Sequence, residues 1–156
     1  MSVEIQISQD DYQPYVDDEL LTRAVECVLA AERVQGDVTV IITNDETVAR
    51  LNQEFLGKSG ATDVLSFPAQ AEEDDFILPP DVATEPYLGD IIIALPYTQR
   101  QAQQLGRELR EELALLTVHG TLHLLGYDHA TPEEKADMWQ RQNAIITGLG
   151  LSPMED

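Results

Sequence analysis

The sequence has little cysteine, little positive charge and no long apolar segment, and each shortage excludes a class of protein. Among its 156 residues there is one cysteine, Cys27, so no disulfide can form within the chain. No apolar run approaches the roughly 18 residues that a membrane-spanning helix requires. The segment MSVEIQISQDDYQ has no basic region followed by an apolar stretch, so we expect no secretory signal. These shortages predict a reduced, cytoplasmic protein that does not contact membranes.

Positive charge is scarce enough to bear on the choice of partner. The chain has 9 lysine and arginine residues against 29 aspartate and glutamate residues, a formal net charge of −20. A field of this sign repels nucleic acids at long range and, taken alone, argues against an RNA or DNA partner. An acidic surface with only two lysines, Lys58 and Lys135, also suits a salty cytoplasm and keeps a protein in solution. We attribute the charge to the ionic environment of the host more than to the substrate.

The hydrophobic pattern predicts a single α+β domain over residues 1–156, with a small mixed four-stranded sheet packed with about five helices. The first two strands are joined by a helix and should therefore be parallel. Strands are expected at 3–8, 38–43, 64–67 and 88–95. Helices are expected at about 17–34, in a short segment that ends at Gly57, at 96–105, at 107–125 and from Thr131 onward.

Three local features extend this prediction. Cys27 lies on an apolar helical face and is expected in the core. Thr43 and Glu46 have the spacing of a capping box for the second helix. The segment 69–87 holds six acidic residues and three prolines, which predicts a long solvated loop. We favour a plain insertion over a functional lid for this loop.

All three histidines occur within eleven consecutive residues, in the string HGTLHLLGYDH. Four positions separate His119 and His123, so on a helix both side chains leave from one face. Gly126 then favours a helix end, which lets the chain turn back and bring His129 to the same ion. Three imidazoles with a fourth position open indicate a catalytic zinc site, with one ion per chain. Such an ion would lower the pKa of a bound water to roughly 7 and polarise a carbonyl or phosphoryl oxygen.

The histidine spacing also matches metzincin peptidases, H-E-x-x-H-x-x-G-x-x-H. The residue after the first histidine is Gly120, where such a peptidase has its glutamate general base. Without that carboxylate, the chemistry of a zinc peptidase lacks its proton acceptor. This difference argues against a peptidase.

Two aspartates have several open interpretations. Asp128 could orient a ligand histidine, or it could be a simple turn residue. Asp90 lies inside an otherwise apolar strand, where a carboxylate is costly unless it is paired. We expect Asp90 to be largely buried and ion-paired or hydrogen-bonded, and to hold a ligand, act as a base or cap a helix. Its replacement by alanine should harm folding, catalysis or both.

The histidine string, the segment TDVLSFP (62–68) and the segment LGDIIIA (88–94) together resemble the YbeY family of bacterial single-strand endoribonucleases, also called rRNA maturation factors. The resemblance covers nearly the whole chain. It implies an α+β fold in which His119, His123 and His129 hold Zn²⁺. It also implies hydrolysis of RNA phosphodiester bonds, in maturation of the 16S rRNA 3′ end and in ribosome quality control. The implied partners are single-stranded RNA, ribosomal RNA or a ribosomal subunit, with no DNA expected.

One departure from the family concerns phosphate binding. The family usually has an arginine just after the aromatic residue in the segment before TDVLSFP, whereas Leu56 follows Phe55 here. A guanidinium at that position would be a natural phosphate clamp. Lys58 is then the nearest cation, so we predict it as a catalytic residue together with the three histidines and Asp90. Arg107 and Arg110 are further candidate cations.

Two other functions remain open at this stage. One is a zinc-dependent hydrolase of a non-nucleic substrate, such as a peptide or amide. The net charge and Leu56 favour it, and Gly120 counts against it. The other is a ribosome-associated module with a structural zinc, against which the open fourth position argues.

Overall fold

A mixed four-stranded sheet lies at the centre of the fold. The computed structural model describes residues 2–69 and 86–152. The strands are β1 (Val3–Ile7), β2 (Asp37–Thr43), β3 (Val64–Pro68) and β4 (Tyr87–Ala94), in the spatial order β1-β2-β4-β3. β1 and β4 both run parallel to β2, whereas β3 runs antiparallel to β4, so the expected mixed sheet and the parallel first pair are confirmed.

Helices cover both faces of this sheet, which confirms the α+β class. The helices are α1 (Asp18–Glu32), α2 (Asp45–Leu56), α3 (Leu95–Leu105), α4 (Leu109–Leu124) and α5 (Pro132–Gly148), with a 3-10 helix at Asp10–Tyr15. α1 and α4 pack on one face, with α5 against both of them, and α2 and α3 cover the other face. No helix in the described part of the chain has the length and apolarity that a bilayer crossing requires.

The two central strands are apolar on both faces because helices cover both. Val40 and Ile91 are fully buried against the helices of the α4 face. Ile92, the next residue of β4, packs on the opposite face with Val48 of α2. This accounts for the β-branched runs VTVIIT and IIIA, since a strand that is buried on both sides needs no polar alternation.

Two expectations about helices are wrong. Asn44, not Thr43, caps α2, and its side chain accepts a hydrogen bond from the Thr47 backbone N–H at 2.7 Å. Thr43 is still the last residue of β2, where its hydroxyl accepts a hydrogen bond from Ser8. Cys27 is exposed, because it lies to one side of the buried stripe that α1 turns toward the sheet.

The predicted acidic loop at 69–87 lies outside the described residues, apart from its ends. The 3-10 helix Asp10–Tyr15 was not expected. It buries none of its residues, so the hydrophobic periodicity carries no signal for it.

Gly120 brings α4 close to the sheet at the level of the histidines. A Cβ at this position would lie 2.8 Å from Ile91 Cγ2 and 3.1 Å from Ser66 Oγ. The Ser66 hydroxyl donates a hydrogen bond to the Gly120 carbonyl at 3.2 Å, which ties β3 to α4. The position that carries the glutamate in zinc peptidases is therefore packed against the sheet in this chain and has no room for a side chain.

We expect Gly120→Ala to lower the free energy of unfolding by about 1–3 kcal/mol, as overpacking of a core typically does. Gly148→Ala is the matched control, because a Cβ there meets nothing within 4 Å. The control should be neutral or slightly stabilising, since alanine is the better helix former. Urea denaturation of both variants measures the difference, and equal stabilities would contradict the close approach of α4 to the sheet.

Candidate active site

Three imidazole rings converge at the C-terminal end of α4. His119 and His123 lie one helical turn apart, and their Nε2 atoms are 3.1 Å from each other. The helix ends before Gly126, whose φ of +103° turns the chain back toward it. His129 thereby joins the other two rings, and one ligand nitrogen from each histidine lies within 4.8 Å of the others. The cluster expected from the spacing is thus formed.

The donor set fits a divalent transition metal. A tetrahedral zinc ion with bonds of about 2.0–2.1 Å separates its nitrogen ligands by about 3.3 Å. That is close to the 3.1 Å between the Nε2 atoms of His119 and His123. His129 is exposed while the other two are half-buried, so the cluster opens to solvent on one side. Three imidazoles leave a coordination position for water or substrate, as in catalytic zinc sites.

Gln142 of α5 fixes the orientation of the first histidine. His119 Nδ1 donates to Gln142 Oε1 at 2.9 Å, and the Gln142 side chain is only 1% exposed. A proton on Nδ1 leaves the lone pair of Nε2 free, and Nε2 is the atom that faces His123. The buried amide therefore selects the tautomer of His119 that can bind a metal.

Tyr127 anchors the loop that carries His129. Its hydroxyl donates to Glu32 of α1 at 2.6 Å. Arg141 of α5 lies over the Tyr127 ring at 4.8 Å and forms a 3.0 Å ion pair with Glu32. The backbone of Tyr127 also hydrogen-bonds His123. One residue of the loop thus connects two helices to the histidine cluster.

Burial favours the neutral form of the two helical histidines. It is the largest cause that lowers the pKa of His119, and the neighbouring imidazoles lower it further, against the opposing effects of Gln142 and Asp63. Burial also lowers the pKa of His123, with a further contribution from His129. Since only a neutral imidazole can bind a metal, these shifts favour the ligand form at neutral pH.

The histidines form one wall of an open cleft of about 540 Å³. The end of α2 and the start of β3 form the rest of it, including Leu56, Lys58 and Ser66. Asp128 also lines the cleft, and its carboxylate accepts a hydrogen bond from the His129 backbone N–H at 2.8 Å. Asp128 is therefore a turn residue beside the cluster, and its charge raises the pKa of His123 against the larger lowering effect of burial.

Lys58 lies in the cleft, where the resemblance places the phosphate-binding cation. α2 ends at Gly57, whose φ of +68° is the left-handed conformation that glycine adopts most readily. The Lys58 backbone N–H then donates to the carbonyl of Asn52, and the Asn52 side chain donates to the Gly60 carbonyl at 3.0 Å. These bonds hold the exposed Lys58 side chain at the edge of the cleft.

The structure does not bring Asp90 to the histidines. Its neighbours Gly89 and Ile91 point toward α4, so the alternation of β4 directs Asp90 to the opposite face of the sheet. Asp90 is half-buried rather than largely buried, and it accepts the expected hydrogen bond, from the Tyr87 hydroxyl. This placement argues against direct contact with a substrate in the cleft.

The two other candidate cations also lie outside the cleft. Arg107 forms a 3.0 Å ion pair with buried Glu112, and Arg110 forms a 2.9 Å ion pair with Asp17. Neither arginine lines the cleft. Both guanidinium groups are thus already paired within the protein.

Sequence reasoning missed two polar residues beside His119. Gln142 lies on α5 in a stretch of polar residues, QRQN, and nothing in that stretch distinguishes the buried glutamine from its exposed neighbours. Asp63 lies in the TDVLSFP segment, and its carboxylate accepts from the Val64 N–H at 2.8 Å and from Gln101 at 3.1 Å. The one feature of the sequence that could have indicated Asp63 as a residue of the site was its position immediately before a predicted strand.

We expect Gln142→Leu to weaken zinc binding by about 10- to 100-fold, which is the usual cost of losing an outer-shell partner of a ligand histidine. Gln142→Glu keeps an acceptor for the Nδ1 proton and should bind zinc at least as tightly as Gln142→Leu does. Competition with a chromophoric chelator measures both affinities, and circular dichroism checks the fold. If Gln142→Leu binds zinc like the parent, the hydrogen bond has no part in holding His119.

An α+β domain with three converging imidazoles beside an open cleft defines a candidate metal-dependent hydrolase. Comparison with known protein families identifies one that matches: residues 3–150 fit the family described as Endoribonuclease YbeY. The chain belongs to this family.

Individual relatives match over nearly their whole length. An endoribonuclease YbeY of Roseiflexus sp. (strain RS-1) is 45% identical over 99% of this chain and 96% of its own. One from Brevibacillus brevis is 41% identical over 95% of this chain and 98% of its own. The solution structure of TM1509 from Thermotoga maritima superposes with a TM-score of 0.62 and 25% identity, over 94% of this chain and 88% of that one. The fold and the family thus agree.

Proposed function

We propose that this protein is a zinc-dependent endoribonuclease that cleaves single-stranded RNA and acts in maturation of the 16S rRNA 3′ end and in ribosome quality control. The observation that carries the proposal is the convergence of His119, His123 and His129 at the wall of an open cleft. Membership of the YbeY family supports RNA as the substrate. A ribosomal subunit or ribosomal RNA in the cytoplasm is the proposed partner.

The roles of the chain's own residues follow from their positions. His119, His123 and His129 would hold the ion, which supplies a Lewis acid for a phosphoryl oxygen and a water of lowered pKa. Gln142 and the backbone of Tyr127 orient two of the imidazoles. Lys58, at the edge of the same cleft, is placed to bind an RNA phosphate and to offset part of the negative field of the protein.

Leu56 shapes the substrate side of this cleft. It is 48% exposed and lines the cleft near Lys58, at the position where the family usually has arginine. An aliphatic side chain cannot bind a phosphate, but it can contact the face of a sugar or base. Lys58 is therefore the one lysine or arginine among the described lining residues, beside neutral polar side chains such as Asn52 and Ser66.

The direct experiment is cleavage of single-stranded and duplex RNA of the same sequence by zinc-loaded protein. We expect cleavage of the single strand and little of the duplex. His123→Ala is the control that separates the activity of this protein from contaminating ribonucleases. Cleavage no faster than that control, at any salt concentration and with zinc present, would contradict the proposal.

A zinc-dependent hydrolase of a non-nucleic substrate is the second candidate, because Leu56 adds apolar surface to the cleft. The packing of Gly120 against the sheet leaves no room for the glutamate base of zinc peptidases. Hydrolysis of peptide or amide substrates, lost in His123→Ala and without RNA cleavage, would establish this alternative.

The net charge of −20 predicts an unusual response to salt. Proteins that bind nucleic acid through many cations lose affinity steeply as salt rises, because releasing counterions into a more concentrated salt solution gains less entropy. Here salt also screens the repulsion between RNA and the acidic protein. We expect the cleavage rate to depend only weakly on ionic strength, or to rise with it. A steep loss of rate between low and physiological salt would contradict this argument and leave the proposed activity in place.

A further inference from the structure

A second groove lies on the outer side of α5. Its volume is about 550 Å³, and its lining residues are Pro132, Lys135, Ala136, Trp139, Gln140 and Asn143. None of these is acidic, although the chain carries 29 acidic residues. The groove presents one ammonium, one indole and two amides. Groups of these kinds contact nucleotides in RNA-binding proteins.

A smaller cavity of about 120 Å³ borders both the α5 groove and the histidine cleft. Trp139 lines the α5 groove and this cavity. His119 lines the same cavity and the histidine cleft. Trp139 and His119 thus border one small cavity, which gives a single strand with a phosphate at the histidines a short path to Trp139.

The two lysines mark the two ends of this path. Lys58 lines the histidine cleft and Lys135 lines the α5 groove. Neither lysine has an ion pair within residues 2–69 and 86–152. Five arginines, in contrast, form ion pairs with carboxylates at 2.7–3.2 Å: Arg50, Arg100, Arg107, Arg110 and Arg141. The lysine ammoniums therefore remain available for phosphates.

We propose that Trp139 and Lys135 form a nucleotide subsite for single-stranded RNA, in which the indole stacks on a base and the ammonium binds the adjacent phosphate. This rests on the proposed RNA substrate. The Lys135 ammonium now lies 5.0 Å from the centre of the Trp139 ring. Base stacking on an indole is the stronger contact, and the exposed lysine is long and flexible. Lysine therefore leaves the ring for a phosphate when the base arrives.

Trp139 is the only tryptophan in the chain, so tryptophan fluorescence reports on the surroundings of this one side chain, in the α5 groove and the smaller cavity beside it. We expect a uridine hexamer, added to chelator-treated protein so that no cleavage occurs, to quench this fluorescence at saturation. An abasic hexamer of the same length should quench much less, because it has phosphates without bases. Equal quenching by the two would overturn stacking at Trp139.

Substitutions test the subsite against the proposed activity. Trp139→Ala and Trp139→Phe should weaken binding of the labelled uridine hexamer, by about tenfold for alanine and less for phenylalanine. Lys135→Gln should also weaken it. The controls are Tyr15→Ala, an aromatic residue that is 50% exposed beside β1, and Arg23→Gln, which removes one positive charge from α1. Both controls should bind like the parent.

The outcomes separate the two proposals. If the parent cleaves RNA and both Trp139→Phe and Lys135→Gln bind and cleave like the controls, the subsite is wrong and the endoribonuclease proposal stands. If the parent neither binds nor cleaves single-stranded RNA, the endoribonuclease proposal fails and the subsite fails with it. Circular dichroism of Trp139→Ala excludes loss of fold, and Lys135→Gln alters only an exposed side chain.

Discussion

Replacing His123 with alanine is expected to lower zinc affinity by at least 100-fold, since loss of an outer-shell partner alone costs about 10- to 100-fold. The parent should take up about one zinc per chain. With free zinc at about 1,000 times its dissociation constant, binding should add about 4 kcal/mol to the free energy of unfolding. His123→Ala should lose about two thirds of this gain or more, because two histidines remain where three converge.

Elemental analysis after dialysis and thermal unfolding with and without zinc measure both effects. Gln142→Leu serves as the intermediate case, because it keeps all three imidazoles and removes only the hydrogen bond to His119. The expected order of zinc affinity is therefore parent, then Gln142→Leu, then His123→Ala. A parent that binds no zinc even when zinc is supplied would contradict the assignment of the histidine cluster as a metal site.

Arg107→Ala is expected to destabilise the fold by about 3 kcal/mol, the typical cost of leaving one member of a buried ion pair alone. Glu112 is 1% exposed, and Arg107 Nε lies 3.0 Å from its Oε1 atom. Gln101 donates to the other carboxylate oxygen at 3.0 Å, but an amide does not neutralise the charge. Urea denaturation gives the loss directly.

Arg110→Ala is the matched control, because Arg110 pairs with Asp17 and both side chains are substantially exposed, at 49% and 38%. An exposed pair of this kind is worth about 0–1 kcal/mol. The double variant Arg107→Met/Glu112→Leu should recover most of the stability, since no buried charge is then left unpaired. If Arg107→Ala and Arg110→Ala cost the same, Glu112 is not held in a buried pair.

The histidine cluster was predictable because two of its histidines are local in sequence. Residues four apart on a helix share a face whatever the rest of the fold does. Gly126 supplied the helix end that brings the third histidine back. The same kind of local signal predicted a helix from Thr131 onward, and in the structure Thr131 caps α5 through a capping box with Glu134.

Features that depend on distant contacts were predicted less well. Gln142 lies 23 positions after His119, and only the packing of α5 against α4 brings them together. Asp90 was expected in the core because its strand is apolar, but its position beside Tyr87 leaves it half-buried. Cys27 was expected in the core and is exposed, because a pattern of small residues does not show how far around the helix the buried face extends. In each case the missing information is which elements pack together.

The contact between Tyr127 and Glu32 has a consequence for the order in which the histidine cluster forms. His119 and His123 are positioned as soon as α4 is helical, which requires only local contacts. His129 is held through Tyr127, whose partner Glu32 is 95 residues away in the chain. Closing so long a loop is slow and depends on docking of α1. We therefore expect a two-histidine pair to precede the complete cluster during folding, and tight binding of a metal by all three histidines to require that the first helix has already docked.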